Sequence, residues 1–314
     1  MAVAFVFPGQ GSQTVGMGKP LAEAFAPARR VFEEVDEALA EKLSEVIFNG
    51  PAESLVLTEN AQPALMAVSL SVIRVLEAEA GLDLVRDAAF VAGHSLGEYS
   101  ALAAAGALTI AAAARLLRLR GRAMQQAVPV GVGAMAALVG VEFAEAQAIA
   151  AEASVAGLCA AANDNGGGQV VLSGEKKAVE RAVEIARMRG ARRAMMLPVS
   201  APFHCPLMAP AAEVMAEALA KAAIAPARVP LVANVLARPI TARSDIERSL
   251  VAQVTGTVRW RESVLFMTHN GVTTFYEIGP GRVLSGLIKR IAATAAVSSV
   301  GTPDDVACFS AAPH

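Results

Sequence analysis

The sequence is poor in cysteine, in aromatic residues and in charge. Of its 314 residues only 3 are cysteine, 4% are aromatic and 18% are charged, and the formal net charge is -2. Cys159, Cys205 and Cys308 are far apart and lack the spacing of metal ligands, so neither a disulfide framework nor a zinc site is supported. We therefore expect a soluble globular protein that works in a reducing compartment, the cytoplasm.

The chain also lacks the features of a nucleic-acid-binding or membrane protein. Arg115, Arg118, Arg120 and Arg122 lie on one predicted helix rather than in a patch interleaved with aromatic residues. The N-terminus enters an apolar strand without a preceding basic segment, and the uncharged run Tyr99–Ala114 is short and dominated by alanine. We expect no nucleic-acid partner, no secretion and no membrane insertion, and instead a small molecule, a protein, or both as partners.

The most informative stretch is the Gly-x-Ser-x-Gly motif Gly93-His94-Ser95-Leu96-Gly97. The preceding segment Ala88–Ala92 predicts a short buried strand, and Glu98–Leu119 predicts helix with one interruption near Gly106. A serine between a strand and a helix is typical of a nucleophile elbow, whose glycines avoid clashes with both elements. Free amides at the helix N-terminus would favour negative charge on a bound carbonyl oxygen. The alternative is a turn without chemistry, because the motif also arises by chance.

A second glycine-rich loop, Pro8–Gln13, follows the first predicted strand, Ala2–Phe7. The dinucleotide-binding fingerprint fails because Thr14 stands where its third glycine belongs, and no Gly-Lys-Ser or Gly-Lys-Thr follows for a phosphate loop. Ligands bind at the carboxyl ends of strands in open α/β sheets, so the amides of this loop are candidate oxyanion donors. A plain turn is the alternative interpretation.

Strands and helices alternate over most of the chain, with one exception between Val128 and Val199. There the pattern predicts β-α-β-β-α-β, the order of a ferredoxin-like unit. We predict an α/β fold in which residues 1–127 and 200–314 form a large, discontinuous α/β-hydrolase-like domain with a parallel sheet, and residues 128–199 form a ferredoxin-like insert. Within the large domain, Gln62-Pro63 is predicted to open a helix that runs to Ala80.

A nucleophilic serine needs a base, and imidazole titrates near neutrality. Of the four histidines, His94 lies inside the elbow, His269 lies at a helix end and His314 is terminal. His204 lies in a proline-flanked loop at the junction of the two predicted domains, where clefts form. An isolated histidine is more often structural, but together with Ser95 it is the candidate base.

A third catalytic residue is not settled by the sequence. Ser95, Asp164 and His204 occur in the order found in α/β-hydrolases. Asp164, however, borders an Asn-Gly turn, where aspartates usually serve the turn itself. We favour a backbone or amide oxygen as the group that orients His204, which makes a dyad rather than a triad.

Several motifs together resemble the malonyl-CoA:acyl carrier protein transacylases of fatty acid synthesis and the related acyltransferase domains of polyketide synthases. The resemblance covers essentially the whole chain, although residues 304–314 match nothing in the family and are assigned no role. The motifs occur in the family's order and are Phe7-Pro8-Gly9-Gln10-Gly11-Ser12-Gln13, Gln62-Pro63-Ala64-Leu65, Gly93-His94-Ser95-Leu96-Gly97-Glu98-Tyr99-Ser100-Ala101, Arg120-Gly121, Phe203-His204 and Glu277-Ile278-Gly279-Pro280-Gly281.

The resemblance implies a catalytic role for two side chains and two backbone amides. The residue matching Ser95 takes the acyl group in that family, and the residue matching His204 is the base. The amides matching Gln10 and Leu96 form the oxyanion hole. A glutamine at or near Gln253 is implied to orient the histidine through its main-chain carbonyl.

The resemblance also implies the substrates. The arginine matching Arg120 clasps the malonyl carboxylate, and Phe203 is the form associated with malonyl rather than methylmalonyl groups. The implied reaction moves malonyl from malonyl-CoA to the phosphopantetheine thiol of acyl carrier protein through a malonyl-serine, without a metal or redox cofactor, and we expect a monomer. The neighbouring arginines, Arg118 among them, are expected to be solvated.

Two other functions stay open on the sequence. A serine hydrolase or thioesterase would use water in place of the carrier thiol, and the elbow alone does not exclude it. An inactive docking module would keep the fold without turnover. Arg120 and the absence of a convincing acid favour transfer, and the joint presence of nucleophile, base and arginine disfavours the docking module.

Overall fold

In the computed structural model, which describes residues 2–199 and 201–309, ten strands form two sheets. The strands are β1 (Ala2–Phe7), β2 (Phe90–Gly93), β3 (Gly133–Val139), β4 (Cys159–Asp164), β5 (Gln169–Glu175), β6 (Arg193–Met196), β7 (Leu231–Ala233), β8 (Arg238–Ile240), β9 (Val272–Ile278) and β10 (Ala296–Val300).

Helices cover both faces of the larger sheet and one face of the smaller. They are α1 (Lys19–Ala24), α2 (Ala26–Leu39), α3 (Leu43–Asn49), α4 (Ala52–Leu55), α5 (Thr58–Glu79), α6 (Leu84–Asp87), α7 (Gly97–Ala104), α8 (Ile110–Gln126), α9 (Phe143–Ala153), α10 (Lys176–Met188), α11 (Ala209–Lys221), α12 (Arg243–Thr255), α13 (Trp260–His269), α14 (Val283–Ile291) and α15 (Pro303–Cys308). Single 3₁₀ turns lie at Ser154–Ala156 and Pro206–Met208.

The larger sheet has the order β10-β9-β1-β2-β7-β8 and is parallel except for β8. Its central strand β1 is a continuous apolar run, as expected for a parallel strand covered on both faces. Phe7 of β1 pairs with Gly93 of β2, and Ala92 pairs with Val232 of β7. The carboxyl ends of three adjacent strands therefore meet at one edge of the sheet, and the polar residues that follow them are brought together.

The turn after β2 is as predicted: the strand ends at Gly93 and α7 begins at Gly97. Ser95 between them has φ 54°, the left-handed conformation that costs a non-glycine residue about 1–3 kcal/mol. A Cβ on Gly93 would lie 1.9 Å from the Gly97 carbonyl carbon, and a Cβ on Gly97 would lie 2.3 Å from the Phe7 carbonyl oxygen. Both glycines are therefore required by the close approach of strand and helix.

The smaller sheet is built from residues 133–196 in the predicted order β-α-β-β-α-β. Its four strands are antiparallel, in the order β4-β5-β3-β6, and α9 and α10 pack on it to form a separate apolar core. The end of β4 is joined to the larger unit, because the Asp164 amide donates to the Val258 carbonyl at 2.9 Å and the Val258 amide donates to Ala162 at 2.8 Å. This connection holds the smaller unit beside the carboxyl edge of the larger sheet.

Helix α5 is the core helix of the larger unit. It is the one helix in the described residues that is long and apolar enough to cross a membrane, but 83% of its apolar window is buried inside the protein. The prediction that Gln62-Pro63 opens this helix is wrong, because α5 begins at Thr58 and Pro63 lies in its second turn. Proline is tolerated there at the loss of one backbone hydrogen bond, the one to the carbonyl of Glu59.

Other boundaries differ from the sequence prediction for local reasons. The last strand of the smaller unit ends at Met196, since Pro198 cannot donate to a ladder, and β7 is only Leu231–Ala233. The sequence analysis assigns no strand to β8, which contains Pro239, or to the half-exposed β10. Residues 310–314, including His314, lie outside the described part of the chain.

We predict that Gly97→Ala destabilises the protein, because the new methyl group would lie 2.3 Å from the Phe7 carbonyl oxygen. Backbone atoms of the central strand cannot rotate away, so the unfolding free energy should fall by about 1–3 kcal/mol in urea denaturation. Gly286→Ala in α14 is the matched control, since nothing lies within 4 Å of its added Cβ. The control should gain about 0.5–1 kcal/mol; equal midpoints for both variants would contradict the steric explanation.

Candidate active site

Ser95 and His204 are in hydrogen-bond contact. Oγ of Ser95 lies 2.7 Å from Nε2 of His204, and the other ring nitrogen, Nδ1, lies 2.8 Å from the main-chain carbonyl oxygen of Gln253. Because a carbonyl oxygen can only accept, Nδ1 carries the proton and Nε2 is the acceptor for the Ser95 hydroxyl. The two side chains have the geometry of a nucleophile and its general base.

The surroundings of His204 favour the neutral imidazole. Burial, together with the positive charge of Arg120, lowers its pKa from 6.5 to about 3. The unfolded chain therefore binds more protons than the folded one between these two values, so this group costs stability as the pH falls through that window. His204 also has φ 58°, a left-handed conformation like that of Ser95. Both residues are held in conformations that the surrounding structure must enforce.

The acid of a Ser-Asp-His triad is not supplied by Asp164. Its carboxylate is buried and pairs with Arg261 at 2.8 Å, and it also accepts from the Gly166 amide at 3.3 Å. Within the described residues the hydrogen-bond partner of His204 Nδ1 is the Gln253 carbonyl. The arrangement is that of a dyad oriented by a backbone oxygen.

Arg120 extends from α8 into the same site and is almost fully buried, with 1% of its surface exposed. Nη1 donates to Gln62 Oε1 at 2.7 Å, and Nη2 donates to Gln253 Oε1 at 2.8 Å and to Ser95 Oγ at 3.1 Å. No ion pair joins Arg120 to any carboxylate in the described residues, and its Nε has no partner there. The guanidinium thus places a positive charge that lacks an ion-pair partner in the described residues beside the Ser95 hydroxyl.

The position of Arg120 depends on its neighbour Gly121. A Cβ on Gly121 would lie 2.5 Å from the Cα of Glu59, so α8 and α5 approach each other more closely than any other residue would permit. This close packing brings the Arg120 side chain to Gln62 on α5. The Arg120-Gly121 pair recognised in the sequence is therefore one packing unit.

The expectation that Arg118 is solvated is wrong. Only 7% of it is exposed, because α8 packs on α5 along this side as well. Its guanidinium donates to Glu41 at 2.8 Å and to the side-chain oxygen of Asn60. Arg115 is exposed as predicted, and it is the arginine of this stretch that can serve as a solvated control.

Two residues that the sequence reasoning missed hold the elbow in place. Asn234 follows β7; its Oδ1 accepts from the Ser95 amide at 2.8 Å and its Nδ2 donates to the Gly93 carbonyl at 2.7 Å. Glu98 is fully buried and accepts from the Asn234 amide at 2.5 Å and from the Gln253 side chain. Burial raises the pKa of Glu98 to about 8. A polar residue directly after a strand at the ligand-binding edge was the available signal for Asn234.

Gln10 and Leu96 supply backbone amides close to the same cavity. Both residues line the cavity that contains Ser95, and neither amide has a hydrogen-bond partner within the described residues. Leu96 precedes the first residue of α7, where amides have no intrahelical acceptor. The Gln10 side chain is anchored by Thr58, whose hydroxyl donates to it at 2.9 Å. The loop after β1 and the start of α7 thus present two free donors.

The cavity has a volume of about 430 Å³ and lies between the two sheets. The larger unit contributes the elbow, Arg120 and Phe203, and the smaller unit contributes residues from β3, β4, β5 and the segment after β6. His94 in the elbow bridges the units, since its Nε2 lies 2.9 Å from Oδ1 of Asn165. A thioester with a long polar tail can enter such a cleft and place its carbonyl near Ser95.

The family model of the acyl transferase domain matches residues 4–302. The malonyl CoA-acyl carrier protein transacylase of Bacillus subtilis (strain 168) is 47% identical over 305 residues, which covers 97% of this chain and 95% of the relative. The chain belongs to the malonyl CoA-acyl carrier protein transacylases.

Solved structures of this transacylase family have the same mixed α/β fold with a sheet that contains parallel strands. The acyl-carrier-protein-S-malonyltransferase of Bartonella henselae is 56% identical with a TM-score of 0.96, covering 98% of both chains. A malonyl-transacylase in complex with a type II PKS acyl-carrier protein is 41% identical with a TM-score of 0.94, again covering 98% of both chains.

We predict that His204 of this family member stays neutral in mildly acidic solution, because burial and Arg120 lower its pKa to about 3. Histidine ring signals followed by NMR from about pH 8 to 5 should include one that does not shift, whereas an unperturbed histidine titrates near 6.5. Loss of that signal in His204→Asn assigns it. A His204 signal with a midpoint near 6.5 would show that the imidazole is not held in its neutral form.

Proposed function

We propose that this protein transfers a malonyl group from malonyl-CoA to the phosphopantetheine thiol of an acyl carrier protein, in support of fatty acid synthesis. The observation that carries this proposal is Arg120, a buried cation with only neutral partners, 3.1 Å from the hydroxyl of Ser95. A cation in that position fits an acyl group that ends in a carboxylate. The relatives named as malonyl CoA-acyl carrier protein transacylases support the same substrates.

The first half-reaction acylates Ser95. His204 Nε2 takes the hydroxyl proton while Oγ attacks the thioester carbonyl, and the resulting oxyanion is stabilised by the amides of Gln10 and Leu96. Each donor of this kind contributes about 2.7–4 kcal/mol to the transition state in other enzymes. The C–S bond then breaks, the CoA sulfur takes the proton from His204, and malonyl-serine remains.

The second half-reaction repeats these steps with the carrier thiol. The phosphopantetheine thiol enters the vacated part of the cleft and gives its proton to His204 as its sulfur attacks the malonyl ester. The C–O bond to Ser95 breaks and the serine oxygen takes the proton back. Because CoA leaves before the carrier protein reacts, the kinetics are ping-pong.

The proposed chemistry needs a nucleophile, a base, two oxyanion donors and one cation, and we propose that it uses no metal or redox cofactor. We also propose that residues 1–127 and 200–314 form an α/β-hydrolase-like domain and residues 128–199 a ferredoxin-like insert. The elbow on the mostly parallel sheet and the antiparallel order β4-β5-β3-β6 support this division. We propose a cytoplasmic monomer.

We predict that malonyl-CoA alone adds one malonyl group to the protein and that Ser95→Ala abolishes the adduct, because no other nucleophile replaces the serine oxygen. Intact-mass spectrometry with peptide mapping measures both results. Rapid release of free malonate without a lasting adduct would indicate a hydrolase. An adduct mapped to a residue other than Ser95 would contradict the assignment of the nucleophile.

We predict that Arg120→Ala selectively impairs malonyl transfer, because it removes a charge-assisted contact worth about 1.5–3 kcal/mol, or roughly 10- to 150-fold in rate. Acetyl-CoA has no carboxylate and should react no more slowly, since the buried charge that disfavours it is gone. Acyl transfer from both thioesters is measured for the parent and for Arg115→Ala, the exposed control. Equal losses toward both substrates would mean that Arg120 is structural.

A further inference from the structure

The side chains that accept hydrogen bonds from Arg120 are neutral, which is unusual for a buried arginine. Its two terminal nitrogens donate to side-chain carbonyls of Gln62 on α5 and Gln253 on α12, of which 1% and 0% are exposed. A glutamate has the same shape as a glutamine and would accept the same hydrogen bonds. At Gln62 the choice of an amide therefore changes the charge around the guanidinium and not its geometry.

Other arginines that pack into the described part of the protein have carboxylate partners. Arg118 pairs with Glu41, Arg261 pairs with Asp164 and Arg259 pairs with Glu262. Arg120 is more deeply buried than any of these and forms no ion pair. A buried cation without an ion-pair partner is destabilising. A protein that keeps one is therefore expected to pair it with an anion that is absent from the free site.

The nearest buried carboxyl does not supply that charge through a direct contact. Glu98 on α7 accepts from the Asn234 amide and from the Gln253 side chain, and it forms no ion pair with Arg120. Burial also raises its pKa to about 8, which favours the uncharged form near neutrality. Arg120 is therefore left without an ion-pair partner in the described residues, and an anionic group on the substrate can supply one.

Gln62 is the position at which the charge next to Arg120 can be changed with the fewest other lost contacts. Within the described residues, its amide nitrogen has the Met124 sulfur as hydrogen-bond partner, at 3.9 Å, and its oxygen accepts from Arg120. Gln253, in contrast, donates to the Ser95 carbonyl and to Glu98, and its backbone oxygen orients His204. Gln62 has no hydrogen bond to Ser95 or His204 in the described residues, so a change of charge there reaches the proposed nucleophile and base only through Arg120.

We infer that Gln62 is a specificity-determining positioning residue, which holds Arg120 in place without neutralising it and so reserves the arginine charge for an anionic acyl group. The inference rests on the proposed function. A glutamate at this position would form a buried ion pair with Arg120, and the carboxylate of an incoming malonyl group would then find no free cation. An acetyl group would meet a neutral pair in place of an unpaired charge.

The test compares Gln62→Glu with Gln62→Met, which removes the acceptor but leaves the arginine charged. Formation of the acyl-serine from malonyl-CoA and from acetyl-CoA is followed by rapid quench and intact mass for the parent and both variants, with thermal melting as a check on folding. In Gln62→Glu the ratio of malonyl to acetyl kcat/KM should fall about 10- to 100-fold, mainly through the malonyl rate. In Gln62→Met the arginine keeps its charge and its hydrogen bond to Gln253, so the ratio should stay within about threefold of the parental value.

Each outcome bears on one claim. If the parent forms no malonyl adduct, the proposed function fails. If the parent forms it but Gln62→Glu keeps the parental ratio, the inference alone is overturned. A collapse of the ratio in Gln62→Met also overturns it, because loss of a neutral hydrogen bond would then be sufficient, and this variant is decisive even if Gln62→Glu does not fold.

Discussion

The close approach of β1, β2 and α7 at the Ser95 turn is the constraint on which the rest of the site depends. Gly93 and Gly97 let strand and helix touch at backbone distance, and the turn between them holds Ser95 in a left-handed conformation. Asn234 stabilises this turn from the neighbouring strand by bonding the Ser95 amide and the Gly93 carbonyl. The hydroxyl is thereby fixed relative to the sheet edge, and the base, the arginine and the free amides are arranged around it.

The charged groups of the site are arranged for binding and chemistry rather than for the stability of the fold. Burial leaves His204 uncharged and raises the pKa of Glu98, while Arg120 keeps its charge beside two glutamine oxygens. The neutral His204 does not offset the charge of Arg120, whereas an acyl thioester that carries a carboxylate would offset it. In the proposed reaction the energetic cost of burying the cation is recovered when malonyl-CoA binds, and this difference would distinguish malonyl from uncharged acyl groups.

The smaller unit completes the cleft without contributing the proposed nucleophile or base. It is attached through the end of β4, and the side chain of Asp164 that could have joined a triad is used in an ion pair with Arg261. Asn165, one residue later, contacts His94 in the elbow. Residues 164 and 165 thus attach the smaller unit to the larger unit and contribute to the wall of the cavity.

Ser95, His204 and the order of the elements were readable from the sequence because they depend on local pattern: a glycine-flanked serine between an apolar strand and a helix, and a switch in periodicity near Val128. Arg120 and Gln253 were pointed out by resemblance alone, and Asn234 and Glu98 were missed. Their roles depend on contacts across more than 100 residues of chain, such as the one from Asn234 to Glu98. The sequence by itself determined the candidates Ser95 and His204. Only tertiary packing decided that Arg118 is buried with an acid while Arg120 has no ion pair in the described residues, because that follows from which face of α8 meets α5.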